Sequence, residues 1–198
     1  MAIKAGIFGD DTNIKHRFIA DHKKLAKQVK HWKELGLKIV LTSGTWDLFH
    51  VGHAEYLERA KALGDLLIVG VDSDEKVKAR KGPHRPVVPQ NERVEILCHL
   101  RHVDAVTLKP LKEKPNALIR LIRPDCLVMS VSTKHKAGDI KEKRKYVGKV
   151  VLLKPQASTS TSAKVRLLHV SGADRFAKEV ANRIPGLMEE VMESLAKK

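Results

Sequence analysis

The chain has 198 residues, of which 42% are hydrophobic, 31% charged and only 4% aromatic. That balance suits one domain with an appendage and excludes wholesale disorder, and it leaves Val, Ile, Leu and Ala to build the core. Lys and Arg number 38 against 23 Asp and Glu, a net charge of +15 that favours anionic partners: nucleic acid, acidic membrane surfaces or small phosphorylated molecules.

Residues 1–21 are the least readable. Ile3–Phe8 suits a short strand, and Gly9–Asn13 is turn chemistry. Asp10 and Asp11 interrupt what an apolar signal segment would need, so no signal peptide is expected. Residues 22–35 predict a helix with Leu25, Val29 and Trp32 on one face and lysines around the other, stopped by Gly36. Alternating units follow. Ile39–Thr42 predicts a strand, Gly52–Leu63 a helix stopped by Gly64, and Leu66–Val71 a buried strand. A basic loop is expected over Lys76–Pro89, then a helix over Asn91–Leu100 and a strand over Ala105–Leu108. A helix over Asn116–Ile122, a strand over Cys126–Met129, a Lys-rich segment over 134–149 and a strand over Val150–Leu153 complete the series. The Ser/Thr run 158–162 is followed by helical sequence with a break at Pro185-Gly186.

Strands alternating with helices at this spacing imply an α/β fold, a Rossmann-like doubly wound parallel sheet of about five strands with helices on both faces. The domain reading is an N-terminal segment 1–21, a catalytic domain 22–170 and a C-terminal helical extension 171–198 that covers the sheet or forms a dimer contact. A homodimer is the expectation. The longest apolar run, Leu66–Val71, is interrupted by Gly70 and falls far short of the roughly 20 residues of a membrane span. Cys98 and Cys126 sit in apolar contexts and read as buried, reduced thiols. A soluble cytoplasmic protein is the expectation.

In such sheets ligands bind beyond the carboxyl ends of the strands, where helix N-termini point. The first strand runs into Thr42-Ser43-Gly44-Thr45-Trp46-Asp47-Leu48-Phe49-His50-Val51-Gly52-His53. Gly44 and Gly52 permit close backbone approach by a bulky anion. Asp47 is expected to hydrogen-bond loop amides. His50 and His53, three residues apart, share one side of a first helical turn, where imidazoles can donate to phosphate oxygens and follow transition-state charge. The spacing alone is weak: His99 and His102 repeat it at the end of a helix without a glycine loop and read as structural. Zinc is disfavoured because no Cys/His set with ligand spacing accompanies the pair.

The stretch S-G-T-W-D-L-F-H-V-G-H resembles the signature of the cytidylyltransferase-like nucleotidyltransferases. The similarity continues through Ala54–Asp65, Leu67–Asp74, Lys78, Lys81-Gly82-Pro83, Arg85-Pro86-Val87, Pro89 and Arg93. Within that family the lead-in helix and the K-G-P-x-R-P-V stretch are most similar to the adenylyltransferase domain of ADP-heptose synthase, with glycerol-3-phosphate cytidylyltransferases next. The resemblance implies that His50 and His53 stabilise a pentavalent α-phosphate transition state and that Lys81, with Lys78, neutralises phosphate charge. It implies a nucleotide-binding set of Ser43, Gly44, Thr45, Trp46, Asp47, Gly52, Asp72, Lys78, Arg93 and Ser160-Thr161-Ser162, the last matching a family Ser-Thr-Thr. It further implies a nucleoside triphosphate (ATP or CTP), a phosphorylated sugar or polyol as acceptor, and Mg2+ carried on substrate phosphates without a protein metal site.

Two departures leave base and acceptor open. Met129-Ser130-Val131-Ser132-Thr133 stands where relatives carry Gly-Asp or Asp-Asp, and Lys154-Pro155-Gln156 where an arginine is familiar. The expected activity is NMP transfer of the heptose-1-phosphate adenylyltransferase type. The rivals are an alcohol-phosphate cytidylyltransferase, a nucleotide-binding sensor without turnover and a tRNA-related enzyme. Nucleic acid is disfavoured, because no aromatic residues interleave with the basic ones and no zinc-finger, RNP or helix-turn-helix signature appears.

Overall fold

Apolar residues alternate between two faces along every central strand, and that period of two places helices on both sides of the sheet. In the computed structural model, which describes residues 14–131, 137–154, 179–188, 192 and 195, five strands form one parallel sheet. They are β1 (Ile39–Gly44), β2 (Leu66–Asp72), β3 (Ala105–Lys109), β4 (Cys126–Ser130) and β5 (Lys149–Leu153), in the order β3-β2-β1-β4-β5. The fold is α/β and Rossmann-like.

One face of the sheet offers Val40, Leu67, Val69, Val71, Val106 and Val128 to α3 (Val51–Lys61) and α5 (Gln90–Cys98). The other offers Ile39, Leu41, Leu66, Ile68, Ala105 and Leu127 to α2 (His22–Glu34) and α6 (Ala117–Ile122). Helix α2 begins at the Asp21 cap, whose carboxylate accepts from the Lys23 and Lys24 amides, and buries Leu25, Val29 and Trp32. It ends as the sequence predicts. Gly36 takes φ +78°, so its N–H reaches Lys33 O (2.9 Å) and that of Leu37 reaches Trp32 O (3.0 Å), closing a Schellman motif.

The segment before α2 is anchored. After α1 (Ile14–Arg17), Phe18 bridges in parallel to Val106, and the Ile19 amide donates to Val106 O at 2.9 Å. Arg17, 7% exposed, donates to the carbonyls of Cys98, Leu100 and Val103 at 2.9–3.2 Å. This short stretch covers the outer edge of β3, which would otherwise present unpaired backbone groups.

Three readings need correction. The first half of the expected basic loop is a helix, α4 (Asp74–Lys81), because Ser73 caps it by accepting from the Lys76 amide and Asp74 and Glu75 occupy its first turn. Part of the Lys-rich segment is also helical, α7 (Ala137–Lys143) followed by a 3-10 turn at Arg144–Tyr146. The third correction concerns the expected break at Pro185-Gly186. Residues 179–188 are helical throughout, since one proline removes a single intrahelical bond and leaves its neighbours' intact. Contacts divide the chain into two units, Met1–Ser158 and Thr159–Lys198. In the second, Arg183 pairs with Glu179 one turn earlier at 2.9 Å. The Ile3–Phe8 strand and the Ser/Thr run 158–162 lie outside the described residues.

Cys98 and Cys126 are buried free thiols, and burial raises the pKa of both, that of Cys98 to about 11. Among the described residues, no helix is long and apolar enough to cross a membrane.

Candidate active site

The chain order makes β1 the switch strand: it leads to β2 on one side and has β4, entered later, on the other. The crevice at its carboxyl end is where open α/β sheets bind ligands. The β1–α3 loop fills that crevice, with Trp46 (φ +58°) and Leu48 (φ +46°) in the left-handed region, a strain that persists only where the surroundings impose it. The Trp46 indole supplies that constraint, donating to Gly70 O at 3.3 Å. A Cβ at Gly44 would lie 3.3 Å from the same indole, so Gly44 makes room for Trp46.

His50 is the N-cap of α3. Its Nδ1 accepts from the Gly52 amide at 3.1 Å, which leaves the proton of a neutral ring on Nε2 as a donor. That bond also gives Gly52 its place, as the donor that orients the histidine. His53 stacks on His50 with ring centroids 4.0 Å apart. Trp46 meets the His53 ring edge-on at 5.5 Å, and Phe49 lies against it at 5.3 Å. The two imidazoles therefore sit fixed together at the positive end of an 11-residue helix. His99 and His102 have no such setting: the first is the α5 C-cap, and the second faces Glu58 at 3.7 Å.

Asp47 is buried, and its carboxylate accepts from Arg85 (2.9 Å), the Val87 amide (3.1 Å) and the Val88 amide (3.0 Å). It thereby grips the segment after α4. Burial alone would raise its pKa, but the amides of Val88 and Val87 and the Arg85 guanidinium outweigh it and hold the group below 3.8.

Arg93, 1% exposed, is a second clamp. Its guanidinium donates to Val88 O (2.9 Å), Thr45 O, Asp72 O (3.0 Å) and the Asp74 carboxylate (2.6 Å), tying the β1, β2 and 85–88 segments together. The resemblance implied that Arg93 stabilises both loop and ligand charge, and these four bonds are the loop part of that role.

Thr45 accepts from Arg80 at 2.8 Å, and Arg80 also pairs with the buried Asp72 at 2.9 Å. On its other side Asp72 has Lys109 at 3.4 Å, which donates to the exposed Ser43 hydroxyl at 3.2 Å. Asp72 is thus a holder of cations. Lys78 and Lys81 are exposed on α4. Partial desolvation, then the neighbouring charges of Arg80 and Arg85, lower the Lys81 pKa from 10.5 against the pull of Asp47 and Asp72. Burial likewise lowers that of Lys109. Ser160, Thr161 and Ser162 lie outside the described residues.

Arg80, Arg85 and Lys109 were not assigned roles from sequence. Lys109 had a signal, since it directly follows the apolar part of β3 at the carboxyl edge. Arg80 had none, because its value depends on α4 being a helix. Asp47 and Asp72 are each held by cations, and among the described residues no group of three or more His, Cys, Asp or Glu is placed to hold a metal ion.

The cytidylyltransferase-like family profile matches residues 41–182. The chain belongs to this family of nucleotidyltransferase enzymes. It is similar to the bifunctional protein HldE of Methylobacillus flagellatus, 39% identical over 73% of this chain and 30% of the relative. It is also similar to HldE of Wolinella succinogenes, 40% identical over 77% of this chain and 31% of the relative. The chain thus spans about a third of the length of these curated relatives. Among solved structures, a lipopolysaccharide core biosynthesis protein of Thermoplasma volcanium superposes with a TM-score of 0.53 at 26% identity, covering 62% of this chain and all of the other. A pantoate-beta-alanine ligase of Francisella tularensis shares the fold at 15% identity, with a TM-score of 0.55 over 72% of this chain and 68% of the other.

Proposed function

We propose that the protein transfers a nucleotidyl group from ATP or CTP to a phosphorylated sugar or polyol and releases pyrophosphate, as a cytoplasmic enzyme of the heptose-1-phosphate adenylyltransferase type. The stacked His50–His53 pair at the α3 terminus carries this reading. The similarity to HldE favours ATP and a sugar phosphate over the alcohol-phosphate alternative.

An acceptor phosphate oxygen attacks the α-phosphorus in line as the bond to the bridging oxygen of pyrophosphate breaks. The nucleophile is already anionic, so alignment and charge neutralisation are the task and no general base is needed. His50 and His53 donate to α-phosphate oxygens as charge builds there, and Lys81, with Lys78, balances the departing phosphates. Magnesium bound with the triphosphate would supply further charge neutralisation, alongside the cations that Lys81 and Lys78 contribute.

The test is pyrophosphate release with ATP, CTP, GTP and UTP offered separately against pooled sugar, polyol and amino-alcohol phosphates. Removing one transition-state donor of this kind typically costs about 10²- to 10³-fold in rate, and His53→Ala is expected to lose that much with its fold retained. Normal turnover in folded His53→Ala would overturn the assignment. Triphosphate binding without release across the whole panel would favour a sensor.

A further inference from the structure

A group of charges lies across the sheet end from the histidines, and the reaction as described does not use it. Ser43, Gly70, Asp72, Thr107 and Lys109 alternate with residues packed on α3 and α5, so they belong to the opposite, α2/α6 face of β1, β2 and β3. Lys109 crosses β2 to reach Ser43. It does so because residue 70 is glycine: a Cβ there would come within 2.9 Å of the Lys109 Cδ, 2.8 Å of Leu118 and 3.1 Å of Ser43. The ammonium ends 3.2 Å from Ser43 Oγ and 3.4 Å from Asp72. Close by, the fully buried Thr107 hydroxyl has no hydrogen-bond partner.

The charges around this point do not balance. Arg85 is matched by Asp47 and Lys76 by Glu113. Arg80 and Lys109 both pair with Asp72, while Lys81 lies within the field of Asp47 and Asp72 and Lys109 also within that of Glu113. Two cations on one buried carboxylate repel each other, and an anion relieves that repulsion. Asp72 holds Arg80 and Lys109 in place beforehand, so little ordering is left for binding to accomplish.

We propose that Lys109 and Arg80, held on Asp72, form a second anion subsite that takes a phosphate or carboxylate group of the acceptor. This deepens the nucleotidyltransferase reading and rests on it for the identity of the ligand. The subsite selects acceptors that carry an acid group besides the phosphate that attacks.

Inorganic phosphate is the probe. It is titrated calorimetrically at low salt into the full chain, into Lys109→Met, which keeps an unbranched apolar stem over Gly70, and into His53→Ala; ATP and CTP are titrated in parallel. Arg80→Met, at a more exposed position, is the second variant should Lys109→Met fail to fold. Phosphate binding that survives His53→Ala and weakens about tenfold or more in Lys109→Met or Arg80→Met is expected, with triphosphate affinity changed less than twofold. Unchanged phosphate affinity in both cation variants, or no phosphate binding to the wild type, overturns the subsite. A parallel fall in triphosphate affinity assigns these cations to the nucleotide and overturns the acceptor assignment. If the wild type never releases pyrophosphate yet shows the expected phosphate pattern, the reaction reading fails while the subsite stands.

Discussion

Arg93 gives the sharpest test of how this site is built. It is 1% exposed and its guanidinium serves three carbonyls, those of Thr45, Asp72 and Val88, together with the Asp74 carboxylate. Replacement by Met keeps most of the apolar stem and removes every donor. The buried carbonyls of Thr45 and Asp72 and the part-buried one of Val88 lose their partner, and Asp74, itself partly exposed, loses its cation. Breaking a buried charge pair by removing one member costs about 3–5 kcal/mol. A kilocalorie moves the melting temperature of a 150–250-residue domain by about 2–4 °C, so Arg93→Met is expected to melt roughly 6–20 °C below the wild type. Arg93→Lys is expected to recover only part of this, since an ammonium cannot span the fork of acceptors that a planar guanidinium reaches. The assay is thermal unfolding followed by circular dichroism, with ATP and CTP affinities measured well below the transition. A melting point for Arg93→Met within 2 °C of the wild type, together with weakened nucleotide binding, would refute the clamp and restore direct contact with ligand charge.

Three further outcomes follow from the same geometry. Asp47 titrates below 3.8 in the folded chain, so its contribution is fully present above its unfolded pKa and is lost as pH falls through the folded one. Asp47→Asn should therefore destabilise at pH 7 and converge with the wild type in acid denaturation curves below that range; equal stability at pH 7 would contradict the role given to it. Gly70→Ala pushes a Cβ against Leu118, Lys109 and Ser43 and is expected to cost about 1–3 kcal/mol of overpacking in urea unfolding; a neutral substitution would show that Lys109 does not pass there. The Lys81 ammonium loses its proton below the ordinary 10.5, so the alkaline limb of a kcat/KM profile should move upward in Lys81→Arg, and an unmoved limb would place that ionisation elsewhere.

The sequence alone determined the alternation of strands and helices, because a parallel strand buried on both faces and an amphipathic helix each leave a pattern in consecutive residues. It also determined the position of the histidine pair, since glycine, His-x-x-His and a helix start are all local features. The schedule of elements was therefore legible from Lys38 to Leu153, although α4 and α7 were hidden inside runs of basic residues. Tertiary structure decided which charged residue does what. Asp47 and Arg93 read in sequence as residues of the nucleotide loop, and the fold shows that the backbone they grip lies up to 48 residues away. Lys109 gained its setting only when Gly70 of the adjacent strand left room for its stem. Hydrophobic periodicity is written into neighbouring residues, whereas an ion pair depends on which side chains the sheet order brings together, and that order is a property of the whole chain.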